Sequence, residues 1–134
     1  MRFQRAQHPA IIDGQEAARR FFSGCFQSGN GALERLWVAH VDASACCLHV
    51  ECYEGEPESV ELPVRDIIAD AARLGSAGIV LAHNHPGGDA RPSRADCNST
   101  RRLARASEAI DLTILDHLVF AGEECSSMRR MGLL

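Results

Sequence analysis

The chain has no Cys-x-x-Cys pair, no apolar run long enough to cross a membrane and no surplus of basic charge. Each absence removes a class of protein. Without closely spaced thiolates the commonest sulfur-based zinc signature is missing, so any metal bound here takes nitrogen and oxygen ligands. A helical span needs about 18 or more consecutive apolar residues, which argues against a membrane protein. The N-terminal Met1-Arg2-Phe3-Gln4-Arg5 is not followed by the apolar stretch of an export signal. The formal charge of −4 does not suggest a dedicated duplex-DNA binder. Nucleic acid stays open as a partner only through local segregation of charge. Aromatic residues are few: five Phe, one Trp and one Tyr. The core must therefore lean on Leu, Val, Ile and Ala. The six cysteines (25, 46, 47, 52, 97 and 125) are scattered and include an adjacent pair, so they read as free thiols of a cytoplasmic protein.

What is present reads as one α/β domain. Its 134 residues suffice for a single core. An N-terminal lead-in over residues 1–30 ends in a helix from Asp13 to about Gln27, with Ala17, Phe21, Phe22, Cys25 and Phe26 at helical spacing. Ser28-Gly29-Asn30-Gly31 marks a turn. Over 31–134 the pattern predicts strands at Leu33–Val41, Cys46–Tyr53 and Ser59–Leu62. A helix follows from Pro63, with Ile67, Ile68, Ala71, Ala72 and Leu74 as its apolar stripe. The wholly apolar Gly78–Ala82 predicts a central strand. A polar loop over 83–94, a helix from Ser93 to about Ala109 and a strand at Leu112–Ala121 come next. The tail from Cys125 adds an edge strand or a turn. The order predicts a mixed sheet flanked by helices, with the site where the central strand ends.

At that strand end stands His83-Asn84-His85-Pro86-Gly87-Gly88-Asp89-Ala90-Arg91-Pro92-Ser93-Arg94-Ala95-Asp96. Histidines at i and i+2 of an extended segment share a side, so both imidazoles can meet one ion. Gly87 and Gly88 let the chain turn back, and Asp96 in the first turn of the next helix can return a carboxylate. Two imidazoles and a carboxylate make a three-ligand zinc site whose fourth position is open for water. A lone His-x-His is weak evidence, and Ser93-x-x-Asp96 is also a helix capping box. The two together, behind a core strand and Pro-Gly-Gly, are hard to explain by packing alone.

His83-x-His85, seven residues, then Ser93-x-x-Asp96 resembles the JAMM signature of JAB/MPN metalloproteases. The fuller text is similar to the bacterial RadC branch, and the likeness continues through Thr100-Arg101-Arg102-Leu103 and Leu115-Asp116-His117-Leu118. It covers roughly residues 30 to 134. The resemblance implies a three-layer α-β-α fold like that of cytidine deaminases, and one zinc ion per chain held by His83, His85 and Asp96. It also implies a general base upstream, for which Glu34 stands in the matching place, and Ser93 as the group that orients the substrate carbonyl or stabilises its oxyanion. By the residues alone Glu51, Glu54, Glu56, Glu58 and Glu61 rival Glu34. The sequence departs from the family in having Pro-Gly-Gly where Pro-Ser-Gly is usual. Only about thirty residues precede the JAB-like part, fewer than the N-terminal helical region of full-length RadC-like proteins.

Several other residues carry alternatives. Asp116-His117 is either a partner for an imidazole ligand or, more commonly, a pair bonded to backbone. His40 and His49 read as strand histidines, His8 as a surface one, and Cys97 as a buried thiol. Arg91, Arg94, Arg101, Arg102 and Arg105 form a basic cluster, either an acid-recognising stripe or a solvated face. The expected activity is hydrolysis of an amide, peptide or isopeptide bond in a peptide or protein substrate, with spans too short for ubiquitin-holding insertions. The alternative is a nucleic-acid-associated protein of the DNA-repair type whose zinc site is structural or of unknown catalytic use. A nucleoside deaminase would need His-x-Glu and Pro-Cys-x-x-Cys; neither is present.

Overall fold

The computed structural model describes residues 10–27, 33–55 and 62–134. Among the described residues, three helices and five strands follow in the order α1 (Gln15–Gln27), β1 (Glu34–Val41), β2 (Cys47–Gly55), α2 (Val64–Leu74), β3 (Gly78–Asn84), α3 (Arg94–Glu108), β4 (Thr113–Ala121) and β5 (Glu124–Ser127). The expected strand at Ser59–Leu62 and the turn at Ser28–Gly31 lie outside the described residues, save Leu62, which is in no strand.

The strands form one sheet in the order β2-β1-β3-β4-β5. β3 and β4 run parallel with α3 as their crossover, and every other pair is antiparallel. Alternation along β1 sorts its side chains between two cores. Trp37, Ala39 and Val41 join Phe22 and Ala18 of α1, with Val80, Ala82, Leu118 and Phe120. Leu36 and Val38 face the other way, onto Ile67 and Ala71 of α2 and Leu103 of α3, with Ile79 and Leu81. The fold is thus the expected α/β arrangement of a mixed sheet with helices on both faces. α2 ends on Gly75, whose φ of +67° and backbone bond to Ala71 close the last turn.

One buried group predicts a pH response. His40 is fully buried on β1. Its Nδ1 lies 3.0 Å from Ser76 Oγ, and its Nε2 has no partner among the described residues. Burial, reinforced by neighbouring His49, pushes its pKa down to about 4 from its ordinary value near 6.5. Between those values the unfolded chain binds a proton that the folded one refuses. Stability is then full above pH 6.5 and falls as pH drops towards 4, by up to about 3 kcal/mol. Urea unfolding at pH 4.5 and 7.5 should show this loss in the wild type and a smaller one in His40→Asn.

Candidate metal centre

β3 runs two residues further than the apolar pattern predicts, so His83 and Asn84 belong to the strand rather than to the following loop. The extension has a physical cause on each side. Leu36 of β1 pairs with His83, and His83 and Asn84 pair with Val119 and Phe120 of β4. The His85 N–H then donates to Phe120 O at 2.7 Å, carrying the parallel ladder one residue past the strand. Pro86 has no N–H to continue it. The turn closes through Gly88 N–H to His85 O at 3.2 Å, and Gly88 takes a φ of +89° that favours glycine.

α3 starts on a complete capping box. The Asp96 N–H donates to Ser93 Oγ at 3.0 Å, and the Ser93 N–H donates to Asp96 Oδ2 at 2.8 Å. The box and the expected ligand role share one residue: Asp96 Oδ2 is also 3.1 Å from His85 Nε2 and 3.4 Å from His83 Nε2. The two Nε2 atoms are 2.9 Å apart. Three electron-pair donors therefore face one another across a small triangle. A tetrahedral zinc with bonds of about 2.05 Å sets its ligand atoms about 3.3 Å apart, so the triangle has the dimensions of one tetrahedral face. The other carboxylate oxygen, Asp96 Oδ1, is buried with no hydrogen-bond partner among the described residues. His85 Nδ1 lies 2.7 Å from Asp89 O. A carbonyl only accepts, so His85 Nδ1 donates to it, which fixes the ring with Nε2 towards the triangle.

Glu34 arrives from the first position of β1. Its carboxylate and the ring nitrogens of His83 and His85 all lie within 4.8 Å of one another, a grouping that can itself hold a metal ion. The imidazole pair is thus shared by two carboxylates in different surroundings. Asp96 is buried. Burial alone would raise its pKa, but hydrogen bonding and charge from His83 and the Ser93 bonds outweigh it and hold the carboxyl well below the usual range. Glu34 is half-buried, and burial raises its pKa against the opposing pull of His83 and His85. The rivals Glu51 and Glu54 are engaged on β2, with His49 at 3.2 Å and Arg35 at 3.3 Å. Glu56, Glu58 and Glu61 lie outside the described residues, as does His8.

Two supports of this arrangement went unread in the sequence. The Asn84 side chain accepts from Arg35 N at 2.7 Å and donates to Leu33 O at 2.9 Å. It clamps the backbone on both sides of Glu34, next to the strand that carries the histidines. Thr100, on α3, bonds both the Asp96 backbone and His117. His117 takes the position beside the ligand set: it is buried, with Nε2 2.7 Å from His83 Nδ1. Burial, followed by the charge of His83, pushes its pKa well below 6.5. Its neighbour Asp116 follows the commoner alternative, accepting from the backbone of His117 and Arg129 and from Ser127 Oγ, which ties down the C-terminal turn.

Beyond the triangle, His85, Asp89, Arg91, Pro92 and Ser93 line an open hollow of about 410 Å³. Ser93 Oγ accepts from Asp96, and its own proton has no acceptor among the described residues. Arg91 pairs with Asp89 at 2.9 Å. Arg94, Arg101 and Arg105 are exposed and form no ion pair among the described residues. Cys97 is half-buried rather than buried and joins no metal-holding group among the described residues.

The family model described as "RadC-like JAB domain" matches residues 12–133. The chain is 43% identical over its whole length to UPF0758 protein Bpet3149 of Bordetella petrii, covering 56% of that protein. It is 37% identical to UPF0758 protein YfjY of Escherichia coli over 64% of the chain and 54% of the relative. A third relative, UPF0758 protein PSHAa2643 of Pseudoalteromonas translucida, is 30% identical over 98% of the chain and 58% of its own length. The chain spans a little over half the length of these curated relatives.

Proposed function

This chain belongs to the RadC-like JAB domain family, and from that premise we propose a zinc-dependent hydrolase of amide, peptide or isopeptide bonds. One zinc ion is held by His83, His85 and Asp96. The observation that carries the proposal is the triangle of Nε2, Nε2 and Oδ2 with edges of 2.9, 3.1 and 3.4 Å. Those edges are close to the spacing of ligand atoms around one tetrahedral zinc ion.

The metal supplies a Lewis acid that polarises a carbonyl and acidifies water. The remaining work falls to the chain. Asp96 is the fixed carboxylate, since the Ser93 N–H holds its Oδ2 beside both imidazoles. Glu34 is the better base, since its carboxylate is partly desolvated and more basic. It takes the proton of the attacking water on a carboxylate oxygen and returns it to the leaving nitrogen. The Asn84 clamp keeps Glu34 beside the imidazole pair. Ser93 accepts from the Asp96 N–H and keeps its hydroxyl proton to donate to the developing oxyanion. The hollow beside His85 and Ser93 receives the substrate.

The test is a library of peptides and lysine-linked isopeptides incubated with zinc-loaded protein in ¹⁸O-water. Hydrolysis places one heavy oxygen in each new carboxyl group, read by mass spectrometry. Protein that holds zinc yet labels no product would overturn the proposal.

A further inference from the structure

We infer that the cleft between α1 and the ends of β3 and β4 is a substrate subsite for a peptide carboxylate, and that Arg35 is the residue that selects it. The inference rests on the reading of the metal centre as a peptide or isopeptide hydrolase, and it names the kind of substrate that centre takes. The cleft has a volume of about 620 Å³ and shares His85 with the metal centre. Its place follows from the alternation of side chains along β1. Glu34 reaches the imidazole pair, while Arg35, the next residue, lines the cleft beside Phe26 and Phe120, on the face of the sheet that α1 covers. A chain that presents its carbonyl beside His85 therefore has this cleft on one side and the hollow of Ser93 on the other.

The cleft combines an apolar wall with cationic groups. Phe26 and Phe120, with ring centres 5.0 Å apart, form the wall together with Pro86. Arg19 and Arg35 supply the positive charge, against the carboxylate of Glu123. The two arginines differ in the donors they have left. Arg19 is held by Glu16 through both Nε and Nη2. Arg35 makes one side-chain bond among the described residues, from Nε to Glu54 Oε1 at 3.3 Å. The rest of its N–H fork has no partner there. Glu54 stands outside the cleft lining, with its side chain 64% exposed, and a surface contact of that kind holds weakly. It steadies Arg35 without using the paired Nη donors that can grip a carboxylate in two places. The Arg35 side chain is only 16% exposed, so water competes less for those donors than at the open arginines of α3. An apolar wall beside a two-pronged cation fits a large apolar residue next to a carboxylate, which an acidic side chain or the end of a peptide can supply.

The experiment titrates metal-free wild type, Arg35→Gln and Arg35→Lys with N-acetyl-Leu-Glu-Leu amide, N-acetyl-Leu-Gln-Leu amide and N-acetyl-Leu-Gln-Leu free acid. Backbone amide shifts in NMR spectra report where each peptide binds and how tightly. At least one carboxylate peptide should bind the wild type about tenfold more tightly than the Gln amide. It should shift the amides of Gly88 and Gly122, which line the cleft. Preference for the Glu peptide assigns an acidic side chain, and preference for the free acid assigns the end of the chain. Arg35→Gln should abolish the preference, and Arg35→Lys, which keeps the charge but not the fork, should retain only part of it. Equal binding of all the peptides by the wild type, or none, would overturn the inference, as would shifts away from the cleft or a preference undiminished in Arg35→Gln. Should Arg35→Gln not fold, an undiminished preference in Arg35→Lys overturns it as well. The titration needs neither metal nor turnover, so failure of the hydrolase reading is separate: it appears as zinc-loaded protein that labels no product.

Discussion

Asp96→Ala is expected to lose zinc almost completely while the domain stays folded. Removal of an outer partner of a metal ligand costs about 10- to 100-fold in affinity, and removal of the ligand itself should cost more. The side chain has a second task, because its Oδ2 also accepts from the Ser93 N–H in the capping box. Loss of a cap destabilises by about 1 kcal/mol, a small part of the roughly 5–15 kcal/mol that holds a domain together. Asp96→Asn separates the two tasks. Its amide oxygen can still accept from Ser93 but carries no charge, so the helix start should survive and zinc binding should not. Circular dichroism and chelator competition on both variants check this. Unfolding of Asp96→Asn in the absence of metal would show that the carboxylate is chiefly structural.

Glu34→Gln should behave in the opposite way, keeping the metal and losing turnover. Loss of a positioned proton acceptor costs about 10²- to 10⁴-fold in rate. The measurement pairs zinc affinity with the rate of ¹⁸O incorporation. The pairing matters because Glu34 also lies within ligand distance of both imidazoles. A variant that lost zinc together with turnover would make Glu34 the ligand and reverse the roles assigned to the two carboxylates.

How legible these roles are from the sequence depends on how local each one is. His83 and His85 can be read from two-residue spacing on a strand, and Asp96 from the start of a helix, because period and cap are properties of neighbouring residues. The same cap that makes Ser93-x-x-Asp96 readable as structure holds Asp96 against the imidazoles. Glu34 is different. It comes from another strand, and only the pairing of Leu36 with His83 brings it to the site. Resemblance, rather than spacing, singles it out from the other glutamates. Asn84, Thr100 and His117 act through bonds that cross between elements, and no local pattern encodes such contacts. The extension of β3 past Ala82 is hidden in the sequence for a related reason. Polar residues look like loop until ladder bonds from β1 and β4 hold them extended.

Zinc titration of the metal-free wild type, beside His83→Ala, tests the central claim most directly. The arrangement of His83, His85 and Asp96 predicts one equivalent bound per chain and none in the variant. Absence of binding by the wild type at neutral pH, or equal binding by His83→Ala, would contradict it.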